Sequence, residues 1–182
     1  MNISRYSKCG LLIAGAALAM PASALAATQG TAGATSTGSV SISATIPGRV
    51  QLSGLADVAF GTVDPTVAAA QAENVCVWSN TSGKGYTVTA TGSGTSNAFT
   101  VSDGTNTVPY SVEWAGSSGQ SSGTALVSGT ALGGLSSTAA NPTCSAGPSA
   151  TASLIVRMTA ASLQAAVASS YLGTLTLLVA PQ

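Results

Sequence analysis

Histidine is absent from the 182 residues. That removes every Ser-His and Cys-His nucleophile, and with them the commonest hydrolase chemistry. Charge is scarce as well, at 5 % of the chain, where a soluble domain carries about a quarter. No basic patch exists, so nucleic-acid binding has no electrostatic footing. Aromatics make up only 4 %. Three cysteines occur, Cys9, Cys76 and Cys144, and no CxxC spacing; without histidine a metal site is poorly supplied. No phosphate loop or dinucleotide fingerprint is present, and GSSGQSSG (116–123) lacks the Gly-Lys-Ser/Thr of a P-loop. Of the five acids only Asp103 and Glu113 invite pairing; one sits in a turn signal and the other on the polar face of a strand, so solvated positions are favoured over a glycosidase pair. The expectation is a non-enzyme that needs no cofactor. Nor is there a long hydrophobic run: the longest apolar stretch, Leu11–Met20, is too short to hold a chain across a bilayer.

That stretch has another reading. Arg5 and Lys8 precede it, Pro21 breaks it, and Ala24-Leu25-Ala26 has the small-x-small form of a signal-peptidase site. Residues 1–26 are expected to be a cleaved leader, taking Cys9 with them. What remains has three cations, Arg49, Lys84 and Arg157, against five carboxylates, a net charge of −2. Hydrophobic content of 45 % speaks against disorder. A folded surface this poor in charge suits a protein packed against its own copies or working outside the cell. In an exported chain the remaining pair, Cys76 and Cys144, reads as one disulfide. Closing a loop of 68 positions would remove on the order of 4 kcal/mol of denatured-state entropy. Two free thiols are the less favoured alternative.

The most regular pattern in the chain is GSVSISATI, Gly38 to Ile46. Val40, Ile42, Ala44 and Ile46 fall on one face, Ser39, Ser41, Ser43 and Thr45 on the other, which is the period of a half-buried strand. Pro47-Gly48 ends it. Ahead lies ATQGTAGATST (27–37), small and polar, which builds no core. The strand is either the first of its own domain or one made for another molecule's sheet. Residues alone favour the first.

Further alternating segments follow: Val50/Leu52, Val58/Phe60, Val75–Trp78, Tyr86/Val88/Ala90, Phe99/Val101, Val108–Trp114, Ala152–Met158 and Tyr171–Val179. Turn signals separate them, NTSGKG at 80–85 and Asp103-Gly104 among others. Pro109 marks an exposed edge or a bulge. The Ala-rich runs before Asn74 and over 161–168 leave helix or loop open, and 116–123 reads as a flexible loop. Trp78, Tyr86, Tyr110 and Trp114 are a candidate carbohydrate platform, but at strand spacing aromatics are more often core. Many short strands, turns about every ten residues and no fixed repeat predict an all-β sandwich.

Four stretches taken together, TGSVSISATIP, SGLADVAFGTV, the pair GYTVTATG and VPYSVEW, and the closing YLGTLTLLVAP, resemble pilin subunits of bacterial chaperone–usher fimbriae. The archaic branch, which shares the spore coat protein U domain, is the nearer likeness and the colonisation-factor type a close second. One departure is that archaic pilins often carry a cysteine just after the lead strand, where this chain has Arg49-Val50. The resemblance implies an immunoglobulin-like antiparallel sandwich (48–182) lacking one strand, with an N-terminal extension (27–47) that completes a neighbour. Val40, Ile42, Ala44 and Ile46 would be the donor residues; Tyr171, Leu175, Leu177 and Val179 would flank the acceptor groove. It also implies export through the periplasm to the cell surface, a periplasmic chaperone, an outer-membrane usher, a homopolymer, and a part in adhesion and biofilm formation. The alternative is a monomeric secreted carbohydrate-binding sandwich in which the lead strand closes its own sheet.

Overall fold

A computed structural model describes residues 26–182. The expected leader, apart from Ala26, lies outside the described residues. These residues fall into two units divided between Thr45 and Ile46.

The second unit is built almost wholly from antiparallel strands. In chain order they are β1 (Val50–Ser53), β2 (Ala69–Ser79), β3 (Gly85–Gly92), β4 (Thr100–Ser102), β5 (Thr107–Pro109), β6 (Ser111–Ala115), β7 (Thr124–Ala125), β8 (Ala131–Ser136), β9 (Ala152–Met158) and β10 (Leu175–Pro181), with one short helix, α1 (Ala160–Gln164), after β9. One sheet has the order β1-β2-β9-β6-β7 and a second the order β10-β3-β8; β4 and β5 form a separate hairpin. The fold is thus an all-β antiparallel sandwich, as the alternation predicts.

The core lies between the two sheets. Period-2 alternation sends Val75 and Val77 of β2, Val112 and Trp114 of β6, and Leu154 and Val156 of β9 inward to meet Tyr86, Val88 and Ala90 of β3. The two large aromatics are fully enclosed, and their polar atoms satisfy each other: Trp114 Nε1 donates to Tyr86 Oη at 3.2 Å. Burial pushes the Tyr86 hydroxyl above its ordinary pKa, with the Trp114 bond pulling the other way. Cys76 and Cys144 are bonded, and the disulfide packs with Ala139 and Trp78 as a small second core.

Three segments differ from the expectations or resolve what the sequence left open. The Ala-rich run becomes the first half of an eleven-residue β2, because Ala69 to Val75 pair in register with Met158 to Ala152; the ladder overrides alanine's helical preference. The loop 116–123, expected to be flexible, is pinned across β9. Gly119 N–H donates to Asn74 Oδ1 at 2.6 Å, Gln120 N–H to Ser153 Oγ at 3.0 Å, and Gly123 N–H to Glu113 Oε2 at 2.9 Å. That cover leaves Ser153 and Ile155 buried on the outer side of a strand whose inner face is also closed. Finally, the closing strand begins at Leu175 and not at Tyr171. Gly173 sits so close to Thr100 O that a Cβ there would lie 3.0 Å from it, and Leu172 bridges to Ser102 instead.

In the first unit, Thr28 and Ser39 exchange backbone hydrogen bonds of 2.9 and 3.0 Å. From Val40 to Arg49 no residue belongs to a strand. The alternating stretch therefore has its apolar face and, among the described residues, no ladder.

Candidate functional site, an open groove beside the last strand

β10 pairs with β3 along one edge only; among the described residues its other edge is hydrogen-bonded to no strand. Beside that edge the second unit is open. A groove of about 1170 Å³ runs there, lined among others by Leu175 and Leu177 of β10, Leu154, Val156 and Met158 of β9, and Val58 and Phe60 opposite. Its floor is the continuation of the main core. Leu154 and Val156 are buried, and Leu175 and Leu177 pack against the same cluster from the side.

The wall facing β10 is the stretch Gly54–Val63. Val58, Phe60 and Val63 are half-buried. Among the described residues no strand pairs with it, and it makes no backbone hydrogen bond. So one wall is a free strand edge and the other is a length of chain whose backbone N–H and C=O groups are unpaired with other backbone among the described residues. The far end is closed by a second apolar cluster, in which Leu163 of α1 packs with Val108 and Met158, and Tyr171 and Phe60 lean on it. Thr159 caps α1 by accepting the Ser162 N–H at 3.1 Å, which fixes the turn that carries Leu163.

Three of the four residues expected beside the groove, Tyr171, Leu175 and Leu177, line it. Val179 lies farther along β10, against the main core. Tyr171 reaches the groove from the loop before β10, and its hydroxyl donates to Val167 O at 2.7 Å. Sequence reasoning missed the floor residues Leu154, Val156 and Met158 as site residues, although their strand was legible. A strand's inward face reads the same whether another sheet covers it or nothing does.

The four expected donor residues are all exposed: Val40 at 72 %, Ile42 at 91 % and Ile46 at 83 %, with Ala44 between them. Four alternating apolar side chains in water are costly, roughly 25 cal/mol for each Å² left uncovered, and such a stripe marks a contact surface.

The remaining polar candidates are occupied elsewhere. Asp103 accepts the N–H groups of Asn106 at 2.6 Å and Thr105 at 2.9 Å, and the Asn106 amide at 3.0 Å. These bonds, that of the Asn106 side chain foremost, hold its carboxyl down to about 2. Glu113 is paired with Arg157 at 3.0 Å. The two acids thus serve a turn and an ion pair. Tyr86 and Trp114 are core, and Tyr110 stacks on Phe99 with ring centroids 5.7 Å apart, which removes most of the candidate carbohydrate platform. Among the described residues no group of three or more His, Cys, Asp or Glu side chains is placed to hold a metal ion. No described helix is long and apolar enough to cross a membrane.

No protein-family model matches the sequence, and no curated protein matches it significantly. Among solved structures the chain is similar to one from a structure described as a chaperone–tip adhesin complex vital for synergistic activation of CFA/I fimbriae biogenesis, at 13 % identity and a TM-score of 0.49. The similarity covers 74 % of this chain and 41 % of that one. The two share too little for a role to pass from one to the other.

Proposed function

We propose that this protein is a structural subunit of a surface fimbria, joined to its neighbours by strand exchange. The observation that supports the reading is one chain carrying both an open apolar groove and an exposed alternating apolar stretch. The groove offers a free strand edge beside apolar side chains of the core. Residues Val40 to Ile46 offer an alternating apolar segment that belongs to no strand here. A strand from a second copy, entering between β10 and Gly54–Val63, would find backbone partners on both sides, which is β-augmentation with alternate side chains setting the register. Val40, Ile42, Ala44 and Ile46 would enter; burying each of the larger three contributes about 1.5–3 kcal/mol.

Before a neighbour arrives, an open groove and a bare edge are an aggregation hazard. The resemblance to chaperone–usher pilins adds the partners that would meet that hazard, a periplasmic chaperone supplying a temporary strand and an outer-membrane usher where the exchange takes place. On this reading residues 1–26 direct export, 27–47 donate and 48–182 accept. The finished fibre would stand on the cell surface and support adhesion and biofilm formation.

Deleting residues 27–46 separates the two roles. The shortened subunit is expected to accept a strand and never to donate one, so it should cap fibres made by the full chain and form none alone. Polymers of the shortened subunit would refute the donor assignment.

A further inference from the structure

The short linker between the apolar stretch and β1 is held in an unexpected way. By sequence, Ile46-Pro47-Gly48-Arg49 is suited to a type II reverse turn, with proline second and glycine third. That turn needs a left-handed φ at Gly48 and the Arg49 N–H bonded back to the Ile46 carbonyl. Neither is present. Gly48 is not among the glycines with positive φ. The Arg49 N–H donates instead to Asn80 Oδ1, at 2.5 Å. The same side chain donates through Nδ2 to the Pro47 carbonyl at 3.0 Å, and the Asn80 N–H donates to Arg49 O at 3.1 Å. One exposed asparagine thus spends both ends of its amide and its own backbone N–H on two linker residues, Pro47 and Arg49.

The place matters as much as the bonds. A Cβ on Gly48 would sit 3.5 Å from Pro181, so the linker lies at the C-terminal end of β10. A chain reversing at that point would run back along the free edge of β10, parallel to it, with a four-residue hairpin as its only requirement. Self-capping of that kind competes with donation to a neighbour.

We infer that Asn80 is a positioning residue for strand exchange: a clip that withholds the Arg49 N–H from the reverse turn and keeps the extension available to a second copy. This rests on the strand-exchange reading and adds to it a residue that decides between self-capping and polymer. Gly48 supplies an independent handle. Its Cβ position meets only ordinary contacts in the clipped linker, at 3.5 Å from Thr81 Cγ2 and Pro181, whereas an alanine in the left-handed conformation of the turn is disfavoured.

The test follows the full chain, refolded with its disulfide intact, by the share of monomer against SDS-resistant ladder on an unboiled gel. Asn80→Ala should raise the monomer share by roughly three- to tenfold, the worth of one net hydrogen bond. Adding Gly48→Ala to that variant should restore the wild-type share, which a loss of general stability would not do. Gly48→Ala alone, which serves if Asn80→Ala misfolds, should lower the monomer share or leave it at its floor. Equal shares in wild type and Asn80→Ala, or a rise with Gly48→Ala alone, would overturn the clip and leave strand exchange standing. A wild-type chain that never forms a ladder would remove both.

Discussion

Tyr86 and Trp114 show how few polar atoms this core encloses and how strictly they are matched. Trp114 Nε1 has Tyr86 Oη as its partner, and both residues are at most 1 % exposed. Tyr86→Phe keeps the ring and strands one buried N–H, at a cost of about 1–3 kcal/mol. The denaturant midpoint should fall by that amount with the slope unchanged; an unmoved midpoint would mean that water replaces the hydroxyl. Asp103 makes the pH-sensitive counterpart at the surface. Its carboxyl, bonded first to Asn106 and also to Thr105, is held at about 2 against an ordinary 3.8. A depressed carboxylate stabilises the fold fully above its unfolded value, so the contribution is present above about pH 4 and is lost as the pH falls from 3.8 towards 2. The hairpin β4–β5 should loosen over that window, seen as faster amide exchange in 100–109, and Asp103→Asn should flatten the dependence. An Asp103 carboxyl titrating near 3.8 by NMR would contradict the turn as described. That turn was legible in the sequence, since Asp-Gly is a strong local signal. The Tyr86–Trp114 bond was not, because 28 positions separate its partners and only packing brings them together.

At the scale of elements, alternation predicted nearly every strand, and it failed where a partner rather than a pattern decides. β2 extends through Ala69–Asn74 because β9 lies beside it. Gly54–Val63 has equally good alternation at Val58 and Phe60 and forms no ladder. The pinned loop 116–123 escaped notice for the reverse reason: glycine and serine signal freedom, while its anchors, Asn74, Glu113 and Ser153, are remote in sequence. Half of the groove was therefore readable, namely the apolar strand that flanks it, and its emptiness was not. For the donor stretch, charge is the sharpest probe. Ile42 is exposed in the chain as it stands, so Ile42→Asp should fold as well as the parent. Placing that carboxylate in a neighbour's groove would cost several kcal/mol. The variant should accept a strand, fail to donate one, and terminate wild-type polymers when mixed in; normal polymers of Ile42→Asp would exclude Ile42 from the contact.

For the whole molecule, the scarcity of charge and the two unmet surfaces describe the same condition. Five acids and five bases in 182 residues leave little to keep copies apart, and the groove and the apolar stretch give them a reason to join. On the proposed reading, a subunit built this way is incomplete by itself and complete in a row. The most direct measurement is an unboiled SDS gel of the protein isolated from periplasm or outer membrane. Strand-exchanged subunits dissociate very slowly, so the account predicts a ladder at subunit multiples that collapses to one band on boiling. A single monomer band without heating, from a protein that binds glycans, would contradict it and favour a self-closed sugar-binding sandwich.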